Sequence, residues 1–183
     1  MSVDVDSTDL WLTRALLTGG YRPRVLSNEF NINWNATQSI SVERKWAPWP
    51  GTSVYGASAA ALNHVIAPYG YRAVHIMPEG LDMFFVREDE LERAGCTRDE
   101  LPSFAYAAAR AKLGRRVHRS CAPADAARLL DVPLALAGRL EDAHAAAMEA
   151  VKFSNGKHRH NPVCAEQGPR SHTARQGGGQ APG

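Results

Sequence analysis

The sequence predicts an α/β fold: parallel strands, then an antiparallel hairpin, then an α-helical extension and a disordered tail. Three observations lead there. Short β-branched and apolar runs occur at residues 3–6, 24–30, 71–77 and 82–87. Helical apolar spacing lies between the first two runs and again before the third. After Glu88 the composition turns alanine-rich, and from Ser154 onward there is no Leu, Ile, Phe, Tyr or Trp. With 183 residues and 44% hydrophobic composition, the chain can build one core of ordinary size.

The first strand is read from Val3-Asp4-Val5-Asp6, where β-branched residues alternate with carboxylates. A helix follows at once, with Asp6 or Ser7 as N-cap and Asp9 adding charge to its first turn. Leu10, Leu12, Ala15, Leu16 and Leu17 give it an apolar surface, and Gly19-Gly20 ends it. Residues 24–30 form the second strand, introduced by Pro23. Strand, crossover helix and strand make a βαβ unit, so these two strands run parallel. Residues 31–53, rich in Asn, Trp and Pro, read as one long loop, a length more often functional than idle.

A helix over 56–67 comes next, stopped by Pro68 and Gly70. The strands at 71–77 and 82–87 are separated only by Pro78-Glu79-Gly80-Leu81, which predicts an antiparallel hairpin. Helices are expected over 88–94, 103–113, 123–130 and 139–152. The expected division is 1–87 for the α/β part, 88–153 for the helical extension and 154–183 for the disordered tail, which has too little apolar surface to order itself.

The formal net charge is +2, divided between net −4 over residues 1–102 and net +6 over 103–183. No stretch approaches the roughly 20 apolar residues that span a bilayer, and the acidic N-terminus lacks the pattern of a secretory signal. Three widely spaced cysteines, Cys96, Cys121 and Cys164, form no disulfide framework or four-cysteine zinc site. The expected compartment is intracellular and cytoplasmic.

The Asp4-Val5-Asp6-Ser7-Thr8-Asp9 run is the most informative local feature. Ligands bind at the C-terminal ends of strands in open α/β sheets. A period of two puts Asp4 and Asp6 on one side of their strand, able to hold a cation or orient a substrate hydroxyl. The competing explanation is that Asp6 and Asp9 only cap a helix. Glu29, beside Asn28, Asn31 and Asn33, sits at the matching end of the next strand, making Asp4, Asp6 and Glu29 the catalytic candidates. Turn chemistry explains the asparagines equally well. Tyr55-Gly56-Ala57-Ser58 opens a helix, where free N–H groups meet an anion or small residues simply pack. Asp9, Asn31, Tyr55 and Ser58 are the candidates for contact with the substrate, while Trp34, Trp46 and Trp49 offer a pocket wall or pin the loop.

The other features carry less. His64 and His75 read as structural. The Lys157-His158-Arg159-His160 tract with Cys164 lacks a second ligand pair, so no metal is expected there. Gly177-Gly178-Gly179 follows no strand and is not a phosphate loop. Arg115, Arg116, Arg119 and Arg128 read as a solvated face rather than a nucleic-acid surface.

Taken in order, several motifs resemble the C-terminal half of FkbM-like S-adenosylmethionine-dependent methyltransferases. They are Asp4 to Trp11, Tyr21-Arg22-Pro23-Arg24-Val25, Glu29-Phe30-Asn31, Tyr55 to Leu62, Gly70-Tyr71 and Phe84-Phe85-Val86-Arg87. The resemblance implies a Rossmann-like sheet whose fourth strand ends in the D-x-D-x-x-D run and whose fifth ends in Glu29-Phe30-Asn31. It also implies S-adenosyl-L-methionine as methyl donor and a small-molecule acceptor, usually methylated on oxygen, with Asp4, Asp6 or Glu29 as base. The family's glycine-rich donor turn has no counterpart before Val3 or after any strand. The expectation is therefore a fragment or remnant of such an enzyme. The alternative is a non-catalytic interaction module derived from that fold, with a protein partner completing the sheet.

Overall fold

The computed structural model describes residues 1–45, 47–49, 51–78, 81–111, 113–114 and 123–155. The first strand, β1 (Ser2–Val3), is shorter than the alternation suggests. The chain turns away after Val3 because the Asp9 carboxylate accepts the backbone N–H groups of Val5 (2.7 Å) and Ser7 (3.0 Å). Helix α1 (Asp9–Thr18) follows, with Thr8 rather than Asp6 or Ser7 at its N-cap. It crosses over to β2 (Val25–Glu29), which pairs in parallel with β1 in the register Ser2 to Ser27 and Val3 to Asn28. The βαβ unit read from the sequence is present.

Residues 31–53 are not one featureless loop, since Ile40–Val42 form β3. Helix α2 (Ala59–Ile66) begins at Ser58, whose side chain accepts the N–H of Ala61. A short 3-10 turn at Ala67–Tyr69 leads through Gly70 (φ 81°), a left-handed position that suits glycine. The hairpin of β4 (Tyr71–Ile76) and β5 (Asp82–Arg87) is antiparallel, as expected. A bulge between Ala73 and His75 shifts the alternation of β4, so that Tyr71, Ala73 and Ile76 all face the core. β5 lies between β2 and β4, giving a mixed sheet in the order β1-β2-β5-β4 with one parallel pair.

One face of this sheet carries Leu26, Met83 and Phe85, each without exposed surface, and packs with Leu10 and Leu17 of α1 and Leu62 and Ile66 of α2. The opposite face carries Val25, Ser27, Glu29, Asp82, Phe84 and Val86, which are half-buried or exposed. Antiparallel pairing tolerates one solvated face.

Beyond the sheet come α3 (Glu88–Arg93), a 3-10 turn at Arg98–Glu100, α4 (Phe104–Ala111) and α5 (Pro123–Ala126). In α3, Glu90 is nearly buried and accepts hydrogen bonds from Arg24, Arg87 and Arg93. Ala107, Ala108 and Ala111 of α4 join the main core, with α4 against β4. The expected helix over 123–130 breaks after Ala126, and Leu129–Asp131 form β6, antiparallel to β3. Leu129 and Leu130 are buried there, and an extended strand places both within apolar surroundings. The Asp131 carboxylate then caps α6 (Val132–Leu136) by accepting the N–H of Leu134, with Pro133 in the first turn. The last helix, α7 (Leu140–Asn155), runs past Ser154, where the tail was expected to start. The remainder of that tail, 156–183, lies outside the described residues, as do Cys121, Cys164, Arg115, Arg116, Arg119 and the 157–160 tract.

A second core forms around the β3–β6 ribbon, built from Trp34, Ile40, Val42, Val54, Leu129, Ala147 and Val151. Among the described residues, no helix is long and apolar enough to cross a membrane.

Candidate carboxylate site

Parallel pairing of β1 and β2 brings their C-terminal ends side by side, and the acidic residues that follow each strand converge there. One carboxylate oxygen each from Asp4, Asp6 and Glu29 lie within 4.8 Å of one another. Asp4 and Asp6 are exposed and Glu29 is half-buried. Asp6 sits at φ 57°, the left-handed region that L-residues other than Asn and Asp seldom adopt. This turn, rather than the period of an extended strand, presents Asp4 and Asp6 on the same side.

Burial is the largest cause pushing the Glu29 carboxyl up to about 8, and the negative charges of Asp9, Asp4, Asp6 and Asp82 add to it. At neutral pH Glu29 is therefore chiefly a neutral carboxylic acid. Its Oε2 is buried without a hydrogen-bond partner among the described residues. Burial likewise raises Asp9 above the usual carboxylate range, against the lowering effect of the backbone N–H groups it accepts. Burial pushes the Tyr55 hydroxyl up too, with the charge of Glu29 as a further cause.

The four residues read as substrate contacts have mostly inward roles. Asp9 has no exposed surface and braces the 5–7 turn. Asn31, also without exposed surface, donates to the carbonyls of Ser53 and Tyr55 (both 2.9 Å) and accepts the N–H and side-chain amide of Asn33. Ser58, equally buried, accepts the N–H of Ile40 as well as that of Ala61. Tyr55 keeps 7% of its surface exposed and lies 5.2 Å, centroid to centroid, from Trp49. Of the other tryptophans, Trp34 is a core residue, and Trp46 lies outside the described residues.

Asp82 was missed. It faces Glu29 in the β2–β5 register and accepts the Ser27 hydroxyl at 2.8 Å. The hairpin pattern predicts that β5 pairs with β4, but nothing local shows that β2 takes its other edge.

Chemically, the three clustered oxygens are spaced to suit a hydroxyl, a cationic group or a divalent cation held by oxygen ligands. Asn31→Leu tests the buried clamp that holds the 53–55 segment beside them. It strips acceptors and donors from several buried groups, and a loss of about 2–4 kcal/mol is expected in urea unfolding. No protein-family model, no curated protein and no solved structure matches this chain.

Proposed function

We propose that this chain carries the acceptor side of an S-adenosylmethionine-dependent methyltransferase site, within a Rossmann-like sheet, and that the transfer is to oxygen. The observation that carries this reading is the meeting of Asp4, Asp6 and Glu29 at the ends of two adjacent parallel strands. S-adenosylmethionine, when bound, supplies an electrophilic methyl group bearing positive charge next to it. A cluster of carboxylates with no ion-paired cation among the described residues fits that charge. A glycine-rich turn after a strand, which would hold the rest of the donor, is not among these residues.

The chain's own residues then have distinct tasks. Asp4 and Asp6 orient an acceptor hydroxyl. Glu29, in its ionised form, takes the hydroxyl proton, and its raised pKa makes it a stronger base than an ordinary carboxylate. The proton ends on a Glu29 oxygen, where burial already favours it. Asp9 braces the turn that carries Asp6, and Asn31, two residues past Glu29, ties the end of β2 to the 53–55 segment.

Calorimetry of the full chain with S-adenosylmethionine tests the reading. Micromolar affinity is expected, tightening as pH rises through 8 and losing that dependence in Glu29→Gln. No heat of binding at any pH favours the second reading, a non-catalytic interaction module, whose motivating observation is the lack of a glycine-rich turn after a strand.

A further inference from the structure

A different part of the molecule has the makings of a ligand site. Between α1, α2 and α6 lies a cleft of about 560 Å³, a size that suits a small organic molecule. Its polar lining is one-sided: Arg14, Asn63 and His64 line it, and among the described residues no carboxylate does. Its apolar walls are Pro68, Tyr69 and Leu136.

Arg14 is the telling residue. Several arginines elsewhere find carboxylates (Arg24, Arg87 and Arg93 share Glu90, Arg72 has Glu88, Arg128 has Glu43, and Arg139 has Asp142), while Arg22, Arg44 and Arg110 lie over aromatic rings. Arg14 is half-buried, yet among the described residues its guanidinium has no ion pair and no hydrogen bond, and the side chains of Asn63 and His64 have none either. Three donor-bearing side chains without a partner among the described residues thus stand together at the cleft, where an added oxyanion can reach them. Tyr69 lines this space, and its hydroxyl is tied to the Thr18 hydroxyl at 2.8 Å. The Arg22 guanidinium, 5.2 Å from the centre of the Tyr69 ring, adds a second positive charge nearby.

We infer that this cleft binds a small oxyanion on a flat apolar body, with the anion on the Arg14 guanidinium and the body against Tyr69, Pro68 and Leu136. Carboxylates and phosphate monoesters share the chemistry that a guanidinium fork recognises. The Asn63 amide and the His64 imidazole supply further donors to the same oxygens.

The test uses benzoate, phenyl phosphate and the neutral control benzyl alcohol, titrated into the full chain and followed by backbone amide shifts of residues 63–69. Both anions are expected to give saturable shifts, and the alcohol to bind at least about tenfold more weakly. The ratio of the two anion affinities tells which headgroup the cleft prefers. Arg14→Gln is expected to weaken both anions at least about tenfold, with Arg14→Lys intermediate because the fork is lost but the charge is kept. Leu136→Trp fills the cleft and leaves every cation in place, so it blocks binding even if the arginine variants fold poorly. Equal affinity for the alcohol, undiminished binding by a folded Arg14→Gln, or no saturable shift with either anion overturns the inference.

Discussion

Glu29→Gln is expected to abolish a stability slope that the native chain shows between about pH 5 and 8.5. The folded-state pKa of Glu29, about 8, lies above the unfolded value of 4.5. Between those values the folded chain binds a proton that the unfolded chain has released. The contribution is thus fully present below 4.5 and is lost as pH rises through 8. Allowing for the part of Glu29 that water still reaches, the slope amounts to on the order of 1–3 kcal/mol. Urea midpoints at pH 5.5, 7 and 8.5 measure it. The native chain should unfold progressively earlier, the glutamine variant should hold its midpoint, and above pH 8 the variant should be the more stable of the two. A native midpoint that does not move across this range removes the raised pKa from the account, and with it the argument for Glu29 as base. In a methyl-transfer assay, the same substitution removes the proton acceptor and is expected to cost roughly two to four orders of magnitude in rate.

Asp9→Ala is the second large effect. It leaves the buried N–H of Ser7 and the part-buried N–H of Val5 without their acceptor, and an orphaned buried donor costs about 1–3 kcal/mol. Removing a carboxylate that is itself buried against its preference offsets part of this, so the net loss is about 2–3 kcal/mol. Asp9→Asn keeps one side-chain oxygen as acceptor and should lose less. Both substitutions delete the charge that, after burial, contributes most to raising Glu29, so the Glu29 carboxyl should titrate at lower pH in both. Side-chain carbon shifts of Glu29 followed by nuclear magnetic resonance report this directly. An unshifted titration in a folded Asp9→Asn places the two carboxyl groups out of electrostatic contact.

These two residues also show how much of the site was legible in the sequence. The acidic runs at strand ends, the crossover helix and the parallel pairing follow from local patterns, and together they placed Asp4, Asp6 and Glu29 in one crevice. Asp9 was legible only as an acidic residue near a helix start. Its work as a brace depends on a turn at Asp6 that alternation hides, since Asp4-Val5-Asp6 reads just as well as three more residues of strand. Asn31 and Ser58 were read outward as ligand contacts, yet both serve backbone groups distant in sequence. Short polar side chains satisfy buried N–H and C=O groups as readily as they meet substrates, and composition does not separate the two uses. Asp82 depended on which edge of β2 the hairpin takes, a matter of tertiary packing.

The same limit applied to residues 123–130. Alanine and leucine there favour helix, but Leu129 and Leu130 are drawn into strand by β3, far upstream. Propensity yielded to burial.

That ribbon has a kinetic meaning. One edge of Ile40–Val42 meets the nearby 56–58 segment, but the other pairs with Leu129–Asp131, so closing the second core requires nearly half the polypeptide to fold back on itself. On the ribosome, the amino-terminal βαβ unit can zip up early, while Ile40–Val42 wait with the edge that faces away from residues 56–58 bare. The slowest phase of refolding should therefore report on Trp34, and a chain released before its final helices should be the species that clumps.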